Sequence, residues 1–111
     1  MTTTPHTRAR VAIAIEADVS DRDSILAAAR RVQQELRGAN VLVNNAGVML
    51  LGPFSTDQRN DYRHMIEVNL LGAITATEVF LDQLKDGAND RGGDIINVSS
   101  VAGRTARPAM A

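Results

Sequence analysis

Two adjacent serines, Ser99 and Ser100, stand where a folded protein can do chemistry. The stretch GGDIINVSS predicts a buried strand at residues 94–98 that delivers both hydroxyl groups to the loop that follows. A serine hydroxyl alone is a weak acid and a weak nucleophile, so it needs a neighbouring group that activates it. Serines are also common turn formers, and without further signals these two predict only a turn.

Polar residues also follow two earlier predicted strands. Asp18 follows a strand indicated by the alternating apolar residues of RVAIAIEADV, and Asn44 to Gly47 follow a strand at Val41–Val43. In open parallel sheets, ligands bind beyond the carboxyl ends of the strands. We therefore expect the three polar groups to lie at one site.

Two predicted helices connect these strands. The first lies in SILAAARRVQQELRG, with Ser20 as its N-cap, Asp23 completing a near capping box and Gly38 as the C′ residue. The second runs from about Asp57 to Leu84, is interrupted by Gly72 and ends at Gly87. The order β-α-β-α-β predicts an α/β fold with a parallel sheet and right-handed crossovers.

Composition limits the classes of function. Hydrophobic residues make up 44% of the 111, only three residues are aromatic, and the net charge is −1, which gives no electrostatic case for nucleic acid. With no cysteine and two distant histidines, we expect neither disulfides nor a metal site. No apolar run approaches the roughly 20 residues that span a bilayer, and since the first ten residues have no apolar h-region we expect no secretory signal. We expect a cytoplasmic protein with no membrane partner.

Four motifs occur in a characteristic order. They are ADVSD at residues 17–21, NNAG at 44–47, VNLLG at 68–72 and GGDIINVSSVAG at 92–103. Together they resemble the classical short-chain dehydrogenase/reductase family over roughly residues 10–111. An unrelated flavodoxin-like module would suit the strand order but would leave the motifs unexplained. The resemblance implies a partial, doubly wound Rossmann fold, NAD or NADP as cofactor, and an alcohol or carbonyl substrate.

The resemblance also implies which residues bind the dinucleotide: Asp18, Val19, Asn44, Asn45, Ala46 and Gly47. Asp18 would accept a hydrogen bond from the adenine amino group beside the Val19 backbone, or would merely prepare the helix start. Asn45, Ala46 and Gly47 would form the turn beside the adenine ribose. Asn44 would contact the cofactor or brace the sheet, and bracing is an equally good reading for Asn45.

Two residues match catalytic positions of the family. Ser100 would hydrogen-bond the substrate carbonyl and orient it for hydride transfer. Asn69 would kink its helix and hold, through its backbone carbonyl, a water that passes protons to the family's catalytic lysine. A merely tolerated asparagine in the helix is the alternative for Asn69.

Parts of the family pattern have no match in the sequence. The proton-donating tyrosine of Tyr-x-x-x-Lys is expected about thirteen residues after Ser100, beyond Ala111, and Tyr62 has Ile66 where the lysine should stand. No Gly-rich pyrophosphate turn occurs before Arg10. We therefore expect a disordered tail at 1–8, an incomplete Rossmann domain at 9–111, and no activity from this chain alone.

The resemblance implies that the three predicted strands are strands 3, 4 and 5 of a sheet whose spatial order is 3-2-1-4-5-6. The first would then lie about 14 Å from the second, while the second and third would pair directly. A competing hypothesis is a non-catalytic remnant that binds nucleotide weakly or dimerises. The helix at 57–84 is the surface on which we expect a homo-oligomer.

Overall fold

The computed structural model describes residues 11–49, 59–87 and 92–100. The predicted α/β class is confirmed. The predicted tail at residues 1–8 lies outside the described residues, and the assignment of 9–111 to one partial domain stays a prediction. The elements follow in the order α1 (Arg22–Leu36), β1 (Val41–Asn44), α2 (Arg59–Ile66), a π-helical segment (Glu67–Leu71), α3 (Gly72–Gly87) and β2 (Asp94–Asn97).

The two strands form a parallel pair. Asn44 lies opposite Asn97 at the carboxyl end of the register. One hydrogen bond extends the ladder at each end, from the Asp94 N–H to the Asn40 carbonyl at 2.9 Å and from the Val98 N–H to the Asn44 carbonyl at 3.0 Å. The prediction that the second and third predicted strands pair directly is therefore confirmed.

The prediction of a strand in RVAIAIEADV is wrong. Residues 11–18 belong to no strand, because no neighbouring strand among the described residues offers their backbone groups a ladder. The predicted alternation of burial is still present, since Ile13 and Ile15 are half-buried between exposed neighbours. A cleft of about 650 Å³ is lined by Ile15 from this segment and by Leu42 from β1. It lies where the resemblance implies two further strands.

The N-terminus of α1 is capped by Asp21, not by Ser20 as the sequence suggested. The Asp21 carboxylate accepts from the backbone N–H groups of Asp23 and Ser24, at 3.0 and 3.3 Å. Ser20 instead directs its hydroxyl to Asp18. Both residues are acceptable N-caps, and the pairing of Ser20 with Asp18 leaves the cap to the next residue along the chain.

The C-terminus of α1 ends in two residues with positive φ. Arg37 has φ 64°, and Gly38, the predicted C′ residue, follows it with φ 107°. The Gly38 N–H donates to the Val32 carbonyl at 3.3 Å, which satisfies a carbonyl of the last turn. The prediction for Gly38 is confirmed, whereas nothing in the sequence singled out Arg37, because positive φ is uncommon for any residue with a side chain.

The long helix is continuous from Arg59 to Gly87, but its middle is π-helical at Glu67–Leu71. Gly72 has φ −61° and ψ −42°, and its N–H donates to the Glu67 carbonyl five residues back. Gly72 therefore does not interrupt the helix as predicted, because the irregularity lies in the wider turn just before it. The predicted end at Gly87 is confirmed.

A small aliphatic core joins α1 to the long helix. The Gln83 Nε2 of α3 donates to the Ala29 carbonyl of α1 at 2.8 Å, so a hydrogen bond crosses the same contact. Among the described residues, the buried hydrophobic ones are Ile25, Ala28 and Ala29 on α1 and Val68, Ala76 and Leu84 on the long helix.

Two glycines allow close approaches that position the site. A Cβ on Gly72 would lie 2.7 Å from a Val19 methyl group, so the chain before α1 packs directly on the helix backbone. The neighbour that approaches Gly72 is thus the loop before α1. A Cβ on Gly93 would lie 2.5 Å from the Leu84 carbonyl oxygen, which brings β2 against the end of α3.

One helix among the described residues, Arg59–Asp86, is long and apolar enough to cross a membrane by length and composition. The expectation that no segment reaches this threshold is therefore wrong. The observation is weak evidence for a membrane segment, since core helices of soluble proteins pass the same test. The apolar window of this helix is 17% buried in the described part of the chain.

Candidate functional site

The carboxyl edge of the sheet brings two of the predicted groups together. Since Asn44 and Asn97 are opposite each other in parallel strands, residues 45–47 and 98–100 leave the sheet from the same end. Ser99 and Ser100 are exposed there, immediately beyond the last hydrogen bond of the ladder. The sequence-based expectation that these groups share one edge agrees with this register.

Asn44 ends β1 and binds protein groups. Its Nδ2 donates to the Asn97 Oδ1 at 2.9 Å and to the Thr77 Oγ1 of α3 at 3.2 Å. Of the two roles considered for Asn44, bracing the sheet has these contacts to support it. A contact to the cofactor stays a prediction.

Asn69 lies in the π-helical segment and holds the loop after β1. Its Oδ1 accepts from the Val48 N–H at 2.8 Å, and its Nδ2 donates to the Val48 carbonyl at 2.9 Å. The amide thereby satisfies both backbone groups of one loop residue, much as a neighbouring strand would. A Cβ on Gly47 would lie 3.4 Å from the Asn69 Oδ1, so the NNAG turn passes beside this side chain.

Asp18 is built into the turn that precedes α1. Its Oδ1 accepts from the Ser20 N–H at 2.9 Å and from the Ser20 hydroxyl at 2.6 Å, and its own N–H donates to the Ser24 Oγ at 2.9 Å. The Ser20 hydroxyl, the Ser20 N–H and the positive charge of His64 lower the pKa of Asp18 below its ordinary value. Asp18 is thus an exposed carboxylate with a lowered pKa, hydrogen-bonded within the turn that leads into α1.

Val19 connects this turn to the helix that carries Asn69. Its methyl groups lie against the backbone at Gly72, three residues from Asn69. The contact is possible because Gly72 has no side chain. The Asp18 turn and the loop after β1 therefore approach the same helix within one turn of each other.

The cleft contains most of the predicted cofactor residues. Its lining also includes apolar residues of α1 and α3, and Asp18, Gly47 and Ser100 are not part of the lining but lie within two residues of it along the chain. Most of this lining is apolar and stands where the resemblance implies two further strands, so the candidate site is the set of three loops at the rim of the cleft and not the cleft itself. The predicted residues that line it are Val19, Asn44, Asn45, Ala46 and Asn69.

Three contributors were missed from the sequence. Thr77 and Asn97 bind Asn44, and Val48 is the partner of Asn69. An asparagine at the end of the apolar run DIIN was a signal for Asn97, because a polar residue there needs a partner. Thr77 and Val48 had no such signal, since their roles depend on contacts between distant parts of the chain.

Comparison with known proteins identifies the family. The family model for short chain dehydrogenase matches residues 2–111. Nodulation protein G of Rhizobium meliloti (strain 1021) is 36% identical over 94 residues, which are 85% of this chain and 37% of that protein. Acetoacetyl-CoA reductase of Cupriavidus necator is 39% identical over 93 residues, covering 83% of this chain and 36% of that protein. The chain spans little more than a third of the length of these relatives.

A solved structure supports the same family. Ligand-free aldohexose dehydrogenase of Thermoplasma acidophilum matches with a TM-score of 0.75 and 29% identity, covering 86% of this chain and 36% of that one. The motifs, the parallel strand pair and the loops at its carboxyl edge agree with this match. The chain belongs to the short-chain dehydrogenase family, whose oxidoreductases use NAD or NADP.

Proposed function

We propose that this chain forms the adenine-side edge and the serine-bearing strand of an oxidoreductase that transfers a hydride between NAD(P)(H) and an alcohol or carbonyl substrate. The observation that carries the proposal is the pair of hydrogen bonds between Asn69 and Val48. These two hydrogen bonds hold the residue after the NNAG turn against the helix, at the same edge of the sheet at which Ser99 and Ser100 follow β2.

The loops at the carboxyl edge of the sheet carry groups that fit a dinucleotide. Only Oδ1 of Asp18 accepts hydrogen bonds within the described part of the chain, so Oδ2 is available to an adenine amino group. Ala46 and Gly47 are small, which lets the backbone approach a ribose. Among the described residues, a side chain added at Gly47 would meet only Asn69 within 4 Å.

The bound cofactor would supply or accept the hydride. Ser100 would donate a hydrogen bond to the substrate carbonyl and orient it, which is positioning work that a neutral hydroxyl can do. Because the Asn69 side chain is engaged by Val48, its contribution to proton relay would come from the backbone carbonyl. Neither Tyr62 nor Lys85 has the Tyr-x-x-x-Lys spacing, so we propose that this chain by itself turns over no substrate.

The substrate class is proposed only as an alcohol or carbonyl compound. Relatives at similar identity are named for different substrates, among them an acetoacetyl-CoA reductase and a galactitol 2-dehydrogenase. Similarity therefore supports the reaction type and does not select one substrate.

Nucleotide titration tests the proposal. The ¹⁵N-labelled 111-residue chain is titrated with NAD⁺ and NADP⁺ while the backbone amide signals are followed by NMR. We expect the signals of Val19, Ala46 and Gly47 to shift, with weaker binding in Asp18→Ala because the acceptor for adenine is lost. Asp61→Ala, which removes an exposed carboxylate from α2, is the matched control and should bind as the parent does.

Two results would contradict the proposal. One is an absence of localised shifts at millimolar nucleotide, and the other is equal weakening by the Asp18 and Asp61 substitutions. A non-catalytic remnant would also bind nucleotide. The two hypotheses are separated by reading the gene on both sides of the codons for residues 1–111: codons for Tyr-x-x-x-Lys soon after Ala111 would support the oxidoreductase, and a stop codon there would support the remnant.

The long helix is also proposed as a homo-oligomer interface. Ile66 and Leu71 are 54% and 48% exposed on it, and burying such side chains against a second copy would remove them from water. Sedimentation should show a concentration-dependent dimer that Leu71→Glu abolishes and Asn60→Glu retains. A monomer at all concentrations would refute this interface.

A further inference from the structure

The last rung of the sheet is tied by side chains from three separate elements. Asn44 and Asn97 face each other at the ends of β1 and β2, and Thr77 reaches them from α3. An asparagine amide has two hydrogens, and Asn44 directs one to the Asn97 Oδ1 and the other to the Thr77 Oγ1. Both donors of Asn44 are therefore used.

Thr77 is oriented to accept this bond. Its hydroxyl hydrogen goes to the Ala73 carbonyl four residues back, at 2.8 Å. The single hydrogen of the hydroxyl is thus committed, and only its lone pairs remain for Asn44. The helix fixes the direction of the whole chain of bonds, from Asn44 to Thr77 to the helix backbone.

The bonds stand next to both functional turns. Asn45–Gly47 begin at the residue after Asn44, and Ser99 lies two residues after Asn97. One further backbone bond, from the Val98 N–H to the Asn44 carbonyl at 3.0 Å, is the last that the ladder supplies before the serines. A strand end held only by this bond would fray, because terminal rungs are the least protected part of a structure.

We infer that Thr77 and Asn97 are positioning residues that act through Asn44. They hold the Ser99–Ser100 turn in register beside the Asn45–Gly47 turn. The inference rests on the proposed function for its biological meaning, since it concerns the two turns that would meet cofactor and substrate.

The side-chain amide of Asn44 reports the network directly. In an NMR spectrum of the 111-residue chain, Thr77→Val should move one of its two Nδ2 proton signals and Asn97→Ala should move the other. Thr77→Ser keeps the hydroxyl and should restore the parent signal. Thr75→Val, the same substitution two residues earlier in α3, is the control and should move neither.

Hydrogen exchange separates local positioning from general stability. Thr77→Val should speed exchange of the Val98 amide by about fivefold, the factor expected for one typical hydrogen bond. The Asp94 amide, which donates to Asn40 at the opposite end of the ladder, should be unchanged. Asn97→Ala should have the same local effect by removing the other acceptor.

The inference is overturned if Asp94 and Val98 accelerate equally, if Thr75→Val acts like Thr77→Val, or if both substitutions move the same Asn44 proton. These measurements need no nucleotide. A chain that shows the network but binds neither NAD⁺ nor NADP⁺ would refute the proposed function and leave the positioning inference supported.

Discussion

Replacing Asn69 by aspartate tests the link between the helix and the loop after β1. The carboxylate can still accept from the Val48 N–H, which now lies 2.8 Å from the amide oxygen. It cannot donate to the Val48 carbonyl, which lies 2.9 Å from the amide nitrogen, so two oxygens would face each other. Only the protonated carboxyl group restores the lost donor.

The magnitude follows from that single donor. A hydrogen bond of this kind contributes about 1 kcal/mol, and one pKa unit corresponds to about 1.36 kcal/mol. The Val48 N–H can donate to the new carboxyl group whether that group is protonated or ionised. The Val48 carbonyl can accept a hydrogen bond only from the protonated form. We therefore expect Asn69→Asp to introduce a carboxyl group whose pKa in the folded chain is raised by about 0.5–1 unit.

The sign of the pH dependence is fixed by this shift. Because the pKa of the new carboxyl group is higher in the folded than in the unfolded chain, its protonation stabilises the fold at pH values below the unfolded-state pKa of about 3.9. This contribution disappears as the pH rises through the folded-state pKa. The deficit in unfolding free energy relative to the parent should thus be smallest near pH 3.5 and larger by about 1 kcal/mol at pH 7.

The assay combines two measurements. The ¹³C shift of the labelled carboxyl group gives its pKa, and urea unfolding at the two pH values gives the free energies. Asn60→Asp, at an exposed position of α2 with no side-chain hydrogen bond among the described residues, adds the same charge without the carbonyl. If the carboxyl group at position 69 titrates at or below the pKa of the one at position 60, the reasoning is wrong.

Three further substitutions have defined outcomes. Gly93→Ala would place a methyl group 2.5 Å from the Leu84 carbonyl oxygen, so we expect a loss of about 1–3 kcal/mol and a thermal midpoint several degrees lower by circular dichroism. Ser20→Ala removes the main cause of the lowered pKa of Asp18, which should rise toward about 3.9 in an NMR titration, so less stability is lost on acidification. Asp21→Ala removes the N-cap of α1 and should cost about 1 kcal/mol in urea unfolding; an unchanged midpoint would contradict the assigned cap.

Local pattern was enough to predict most of the elements. The apolar stripe of α1, the Val-rich run of β1 and the run DIIN of β2 all depend on residues close in sequence, and the structure contains all three elements. The segment at 11–18 has an equally clear alternation but forms no strand. A strand exists only with a hydrogen-bonded neighbour, and alternation carries no information about whether that neighbour is present.

The candidate site likewise combines residues that the sequence predicted with partners that it could not predict. Asn44 and Asn69 were identified because they stand in NNAG and VNLLG, two of the motifs that carry the family resemblance. Their partners could not be predicted, since Val48 and Thr77 lie 21 and 33 residues from them along the chain. The cap of α1 was misplaced by one residue because Ser20 and Asp21 are both good caps, and only the position of Asp18 decides between them.

The wide turn at Glu67–Leu71 holds about one residue more than regular α-helical winding would need. That surplus residue rotates everything after it by about 100° around the helix axis relative to α2. Removing one residue there would give a smoother rod, yet it would swing the hydroxyl of Thr77 away from Asn44. The π-helical segment thus determines which side of α3 packs on the sheet. Insertion or loss of a single codon there would change that side.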